Sequence, residues 1–487
     1  MTDLRPASLH PDTDPWRLNF HISAPRGLVN DPNGLIHWQG RTHVFFQLNP
    51  QGCNHANKAW GHVASTDLAH WQRLPTAISP TDPFDSHGCY SGSAVTDENG
   101  DMVLVYTGNV RNAAGERETY QCLARSTDGV HFDKLGPVIH GPLPGHTAHF
   151  RDPKVWRQDG AWWMVLGAQT EALQGTVLLL RSDDLSDWQL VAPILIAGRH
   201  GYMCECPDLF DLDGQSLLLF SEQRAAEDDR PASNIAGWVA GEIDLPRGTY
   251  RHGSFQRLDH GRDFYAPQSF LHPDGRRIML GWMGLPEQDS APSIAQGWFH
   301  CLTVPRELRM INGRMCQQPV DELSLLRGAE TRLEGLEIRG RLDTALRGDS
   351  HELELSGISG ALALELRADA DGQVLLTLEP GRIRLAERDA TGRETLLGSA
   401  ELPQGAGHSL RILTDRSSIE VFVDEGEVVL SARIYPGAQA QGIALVSEAG
   451  ARLAALSFWP MRSAWDNGQV KVVTTHPATA RVEEVTK

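Results

Sequence analysis

Over the first 320 residues, apolar positions fall into short runs that come in pairs, each pair joined by a tight polar turn, with almost no long helical periodicity between them. Five of these turns, with the runs that follow, read QGRTHVFFQL from Gln39, NGDMVLVYTG from Asn99, DGAWWMVLGA from Asp159, DGQSLLLFSE from Asp213 and DGRRIMLGWM from Asp274. Four of the five carry Asn-Gly or Asp-Gly, the pair that accepts the positive φ of a two-residue hairpin, and β-branched, aromatic and aliphatic residues follow. The turn glycines Gly40, Gly100, Gly160, Gly214 and Gly275 are spaced 60, 60, 54 and 61 apart. A second marker recurs in STDLAHWQRLPTAI from Ser65, STDGVHFDKLGPVI from Ser126 and SDDLSDWQLVAPI from Ser182. Hairpin units repeating this regularly fit radial blades better than a sandwich, so the pattern predicts an all-β fold: a five-bladed β-propeller.

The pattern changes after the fifth unit. DELSLLRGAE, from Asp321, is a short amphipathic stretch that reads as a helix between domains. Beyond it, short alternating strands and turns predict a C-terminal β-sandwich. The expected organisation is a propeller over 1–320, a linker with a short helix over 321–334, a β-sandwich over 335–465 and a polar tail over 466–487. A chain of 487 residues is also too long for one compact core.

Composition narrows the partners. The balance of 62 acidic against 44 basic residues gives −18, which disfavours nucleic acid and anionic membrane surfaces, so a phosphorylated ligand would need a local basic exception such as Lys58, Arg111 or Arg262. The first 25 residues lack a basic start followed by an apolar core, so no secretory signal is expected, and no apolar run is long enough to span a bilayer. Seven scattered cysteines read as reduced thiols, and the expected location is the cytoplasm. Cys204-Glu205-Cys206 has no second pair at zinc spacing, and His140, His146 and His149 read as loop residues; no metal and no cofactor are expected.

The residues just before each hairpin carry the candidate chemistry. Counting back from the turn glycine, Asp31, Ser91, Glu205 and Ala266 each lie 9 positions away, and Asp152 lies 8 away. The first strand of a propeller blade lines the central channel, so these positions converge at one mouth of it, and three carboxylates from three blades meet there. Asn30-Asp31-Pro32-Asn33-Gly34 alone is an ordinary turn sequence; the count makes it a means of presenting Asp31. Two carboxyl groups flanking a glycosidic bond are the minimum set for glycoside hydrolysis, one attacking or activating water and one protonating the leaving oxygen. Asp31 is the expected nucleophile. Glu205, between two thiols, is the expected acid/base, and Asp152, beside Arg151, is the carboxylate expected to stay ionised and bind hydroxyls. Trp60, Tyr90, Tyr265, Trp282 and Trp298 are aromatic candidates, each with a core role as its alternative. Gln47 closes an apolar strand with a hydrogen-bonding side chain.

NDPNG (30–34), FFQLNP (45–50), WGHVASTDLAHW (60–71), YSGSA (90–94), RDPK (151–154), ECPDLF (205–210) and DFYAPQSF (263–270) together closely resemble glycoside hydrolase family 32, the family of invertases, sucrose-6-phosphate hydrolases and fructan hydrolases. The resemblance implies a retaining double displacement on a β-fructofuranoside, with Asp31 as nucleophile, Glu205 as acid/base and Asp152 as transition-state stabiliser. It also implicates Asn30, Asn33, Gln47, Trp60, Tyr90, Ser91, Arg151 and Trp282 in holding the sugar. Gly27-Leu28-Val29 stands where the family usually has a Trp-Met pair, and Tyr90 where Phe is usual, which affects the shape of the site and not its reactive groups. The expected substrate is sucrose or its 6-phosphate. The alternatives are fructo-oligosaccharides or fructan by the same chemistry, and a non-catalytic sugar-binding propeller. DRSSIEVFVDEGE (415–427) resembles a motif of the family's sandwich domain, for which a contact to the propeller or to a second copy is expected ahead of carbohydrate binding.

Overall fold

The computed structural model describes residues 14–195, 199–225, 233–403 and 407–465; the polar tail expected from residue 466 lies outside them. Five antiparallel sheets follow one another along the chain, and their innermost strands are Gly27–Trp38, Cys89–Thr96, His146–Gln158, Met203–Leu212 and Tyr265–Leu271. Each touches its neighbours in cyclic order, the fifth returning to the first, so the sheets are the blades of a five-bladed propeller. The ring is closed by Trp298–Phe299, which pairs parallel to the start of the first strand, Gly27 with Trp298 and Leu28 with Phe299.

All five hairpin glycines take positive φ, between 76° and 94°, as turns of this kind demand. The innermost strands share a less expected feature. Each breaks register with its neighbour by one residue: between Val29 and Pro32, Tyr90 and Gly92, Arg151 and Lys154, Glu205 and Asp208, and Tyr265 and Gln268. A bulge of this type bends the strand and re-aims its side chains. In three of them a non-glycine residue preceding proline is held in the left-handed region, Asp152 at φ 68°, Cys206 at 48° and Ala266 at 48°. Such residues cost on the order of 1–3 kcal/mol each unless the surroundings hold them. The surroundings do: the Asp152 N–H donates to Thr107 Oγ1 at 3.0 Å, the Ala266 N–H to Ser221 Oγ at 3.0 Å, and the Cys206 N–H to Asp152 Oδ2 at 3.0 Å. Each anchor is a polar side chain from the preceding blade.

The stretch from Asp321 forms a six-residue 3₁₀ turn, Asp321–Leu326, in place of an α-helix. Its two buried leucines, Leu323 and Leu326, are three apart, the period of a 3₁₀ turn, and so share one face. A strand, Thr331–Arg347, follows directly and pairs with the long strand Gly442–Pro460. That last strand also pairs with Ser350–Ile358 towards its end and with Leu362–Ala368 near its start, linking the two layers of a ten-stranded sandwich over an aliphatic core.

The sandwich docks on the propeller through a shared apolar cluster, Leu413, Phe422 and Val429 against Phe20, Ile22 and Val304, and through buried charge. Arg306 of the fifth blade, fully buried, donates to Glu420 at 3.1 and 2.5 Å, to Asp259 at 3.2 Å, to Gln317 at 2.9 Å and to Ser431 at 2.6 Å. His21 bridges Asp415 at 2.9 Å and Glu420 at 2.8 Å, and Asp415 also accepts the backbone N–H groups of Asn19, Phe20 and His21. The 415–427 motif is therefore a contact to the propeller. Asp263 pairs with Arg433 at 3.1 Å, and Arg262 donates to the Arg433 carbonyl, so these residues belong to the same interface and not to the channel mouth.

Candidate functional site

A cavity of about 280 Å³ opens at the channel mouth and is lined by Asn30, Asp31, Gln47, Tyr90, Ser91, Arg151, Asp152, Glu205, Tyr265 and Trp282 among others. Asp31, Ser91 and Asp152 stand within the bulges of blades one to three. Glu205 does not: it is the last paired residue before its bulge, the place held by Tyr90, Arg151 and Tyr265 in other blades. The count back from the hairpin glycine, which set Glu205 level with Asp31, misses this offset because it cannot see where the register breaks.

The offset produces two groups of contacts. In one, Asp31 accepts from Ser91 Oγ at 2.6 Å and from Asn30 Nδ2 at 3.0 Å, and the Cys206 thiol lies 3.6 Å from Asp31 Oδ2 and 3.7 Å from Asp152 Oδ2. In the other, Glu205 Oε1 accepts from Arg151 Nε at 3.1 Å and Nη2 at 2.7 Å, while Oε2 accepts from the Tyr265 hydroxyl at 2.8 Å. A charged fork and a phenol fix both oxygens of Glu205. Its setting is thus polar and not the thiol-flanked one expected from its neighbours in sequence.

Arg151 was expected to hold Asp152 ionised, but the structure gives its guanidinium to Glu205, with Asp152 Oδ2 left at 3.8 Å. Burial dominates there, and with the charges of Glu205 and Asp31 it outweighs Arg151 and the Cys206 N–H, pushing the Asp152 carboxyl up to about 7. Lys58, also buried, reaches Asn30 Oδ1 and lies 3.0 Å from His55 Nδ1. Burial pushes its ammonium down to about 7 against the pull of Asp31.

Two expected sugar contacts stand behind the wall. Trp60 is fully buried, packs in the core with Phe45 and Tyr106, and donates from Nε1 to the Tyr90 carbonyl at 3.1 Å, supporting the bulge that carries Ser91. Asn33 is fully buried, its amide lying 3.0 Å from the Pro32 carbonyl and 3.2 Å from the Gln47 backbone nitrogen. Trp298 belongs to the closing strand and bonds Asp14 at 2.8 Å. Gln47 lines the cavity while its amide donates to the Cys89 carbonyl at 2.9 Å.

Sequence reasoning missed His55, Arg117, His149, Tyr202 and Gln223, all of which line the cavity. His149, read as a loop residue, lies in the strand His146–Gln158 two positions before Arg151. Alternation along a strand was the signal that could have found it. For Arg117, at the start of an outer strand, no such signal exists.

Comparison with known proteins agrees with this geometry. Residues 21–319 match the glycosyl hydrolases family 32 N-terminal domain, and residues 345–460 match the family 32 C-terminal domain. The chain is 41% identical over 436 residues to sucrose-6-phosphate hydrolase of Bacillus subtilis, covering 87% of this chain and 90% of the relative. It is 44% identical over 430 residues to the enzyme of that name from Klebsiella pneumoniae, covering 86% and 88%. The solved structure of sucrose-6-phosphate hydrolase from Lactobacillus gasseri superposes with a TM-score of 0.84 at 29% identity, covering 93% of this chain and 94% of that one. The chain belongs to glycosyl hydrolase family 32.

Proposed function

We propose that the protein is a retaining β-fructofuranosidase that hydrolyses sucrose 6-phosphate to fructose and glucose 6-phosphate. The observation that carries this reading is the meeting of Asp31, Asp152 and Glu205 from three blades in one cavity, with Ser91 and Arg151 already orienting two of them. Asp31 attacks the anomeric carbon of the fructosyl unit while Glu205 protonates the glycosidic oxygen, and the glucosyl moiety leaves. Glu205 then takes a proton from water, which attacks the fructosyl-enzyme bond and frees Asp31. Ser91 and Asn30 fix the Asp31 carboxylate, so the attacking oxygen needs no reorganisation. Asp152, deepest of the three, faces the fructosyl hydroxyls, and Asn30, Gln47, Tyr90 and Trp282 enclose the ring. The names of the bacterial relatives support the phosphorylated disaccharide as substrate.

The test is hydrolysis of sucrose, sucrose 6-phosphate, raffinose and short inulin by the purified protein, with Asp31→Asn and Glu205→Gln beside the wild type. Each variant is expected to lose roughly three orders of magnitude or more in kcat while remaining folded. Activity of either within tenfold of the wild type would remove that residue from the reaction.

A further inference from the structure

The cavity contains one guanidinium that makes no ion pair among the described residues. Arg151 is held by Glu205, and Lys58 by Asn30 with the charge of Asp31 nearby. Arg117 lines the same cavity, yet its only side-chain hydrogen bond among the described residues is a 3.4 Å contact from Nη1 to His149 Nδ1, and its buried Nε has no partner. A buried donor left without an acceptor is destabilising, so it calls for an explanation. A role in holding the fold does not supply one. Arg117 stands directly across the sheet from Arg111, and like charges in that position destabilise a strand pair. Burial and the charges of Arg151 and Arg111 disfavour the Arg117 cation, and Tyr90 and Glu205 offset them only in part, so its affinity for protons is lowered. In a chain of net charge −18, a partly desolvated cation crowded by other cations is a site prepared for an anion.

His149 completes it. Its Nδ1 is approached by Arg151 Nη1 at 3.0 Å and Arg117 Nη1 at 3.4 Å, both obligate donors. Nδ1 is therefore the acceptor, and the neutral ring carries its proton on Nε2, which is left as a further donor. The contacts form one chain: Glu205 is held by Arg151, Arg151 bonds His149, and His149 bonds Arg117. A group beside Arg117 is thus separated from the acid/base carboxyl by Arg151 and His149, room for the glucosyl moiety that Glu205 releases when it protonates the bridging oxygen.

We propose that Arg117 and His149 form the receptor for the 6-phosphate of the glucosyl moiety, the guanidinium binding the phosphate as a fork and the imidazole Nε2–H donating a further bond. This assignment rests on the fructosidase reading given above. It also accounts for the missing carboxylate partner of Arg117, since one would compete with the substrate for it.

The experiment compares kcat/KM on sucrose 6-phosphate and on sucrose for the wild type, Arg117→Gln, Arg117→Lys and His149→Ala, together with competitive inhibition by glucose 6-phosphate and by fructose. The wild type is expected to prefer the phosphorylated sugar. Arg117→Gln is expected to lose 30-fold or more on sucrose 6-phosphate and far less on sucrose, while the inhibition constant of glucose 6-phosphate rises at least tenfold and that of fructose changes less than threefold. Arg117→Lys, which keeps charge without the fork, should fall between, and His149→Ala should lose several-fold of the preference. Equal losses on both sugars, or a preference that survives Arg117→Gln, would overturn the assignment. A wild type that splits sucrose and sucrose 6-phosphate equally well would instead overturn the substrate reading, and one inactive on every fructoside would overturn the fructosidase reading itself.

Discussion

Two regions of this molecule bury clusters of charge, and they are built on opposite terms. At the interface between propeller and sandwich, Arg306, His21, Asp415, Glu420 and Asp259 are each met by opposite charges or hydrogen-bond donors on several sides. At the channel mouth three carboxylates converge, Asp152 is pushed towards its neutral form, Lys58 is pushed down, and Arg117 has no acid partner among the described residues. A buried charge that is fully paired contributes position; one left unpaired retains interaction energy for a ligand. The difference separates what holds the protein together from what acts on substrate.

The largest effect is expected where pairing is complete. Arg306→Ala leaves Asp259 buried without its cation and Glu420 with His21 alone, and about 3–5 kcal/mol of stability should be lost in a denaturant titration. The folded fraction should still show a near-normal KM, because none of these groups lines the cavity.

Next is a pH dependence. Burial alone would lower His21, but hydrogen bonds to Asp415 and Glu420 and their charges raise it from 6.5 to about 9. The folded state then binds more protons than the unfolded state between those values. The contribution is complete below about 6.5, declines as pH rises and is gone above about 9, and it amounts to roughly 3 kcal/mol. Denaturation midpoints at pH 6.5 and 9 should differ in the wild type by far more than in His21→Gln.

Ser91→Ala removes a 2.6 Å bond to the Asp31 carboxylate. Hydrogen bonds to charged groups are worth about 1.5–3 kcal/mol, so kcat should fall by about 10- to 100-fold, with the unfolding midpoint moving little. The smallest effect sharpens the contrast most. Arg117→Gln should change stability by less than about 0.5 kcal/mol, or raise it, since the variant relieves repulsion and loses only a long hydrogen bond to His149. A loss comparable with that of Arg306→Ala would place Arg117 among the structural charges.

Much of this was legible in the chain. Hairpin glycines marked the five blades because a turn that needs positive φ restricts its residues, and Asp31, Asp152 and Glu205 were found from that frame. Their relative placement was not legible: the bulges at Asp152-Pro153 and Cys206-Pro207 depend on Thr107 and on the Asp152 side chain, partners from other blades that no local pattern reveals. Trp60 and Asn33 were expected at the sugar from the family's motifs, which name residues without saying whether a side chain faces the channel or the core. Arg117 was invisible for a related reason, since its meaning lies in the absence of a partner.

The interface also has a consequence in time. His21 and the backbone of Asn19 and Phe20 meet Asp415 across 394 to 396 residues of chain. Contacts of such separation form late, because a long loop must close before they repay its entropy. The strand that presents Asp31 begins only six residues beyond His21, at Gly27. During synthesis the start of that strand gains its parallel partner when Trp298 and Phe299 emerge, and the segment before it is tethered only once the sandwich motif follows. Catalytic competence should therefore wait for the closing strand and the sandwich motif, and not grow blade by blade.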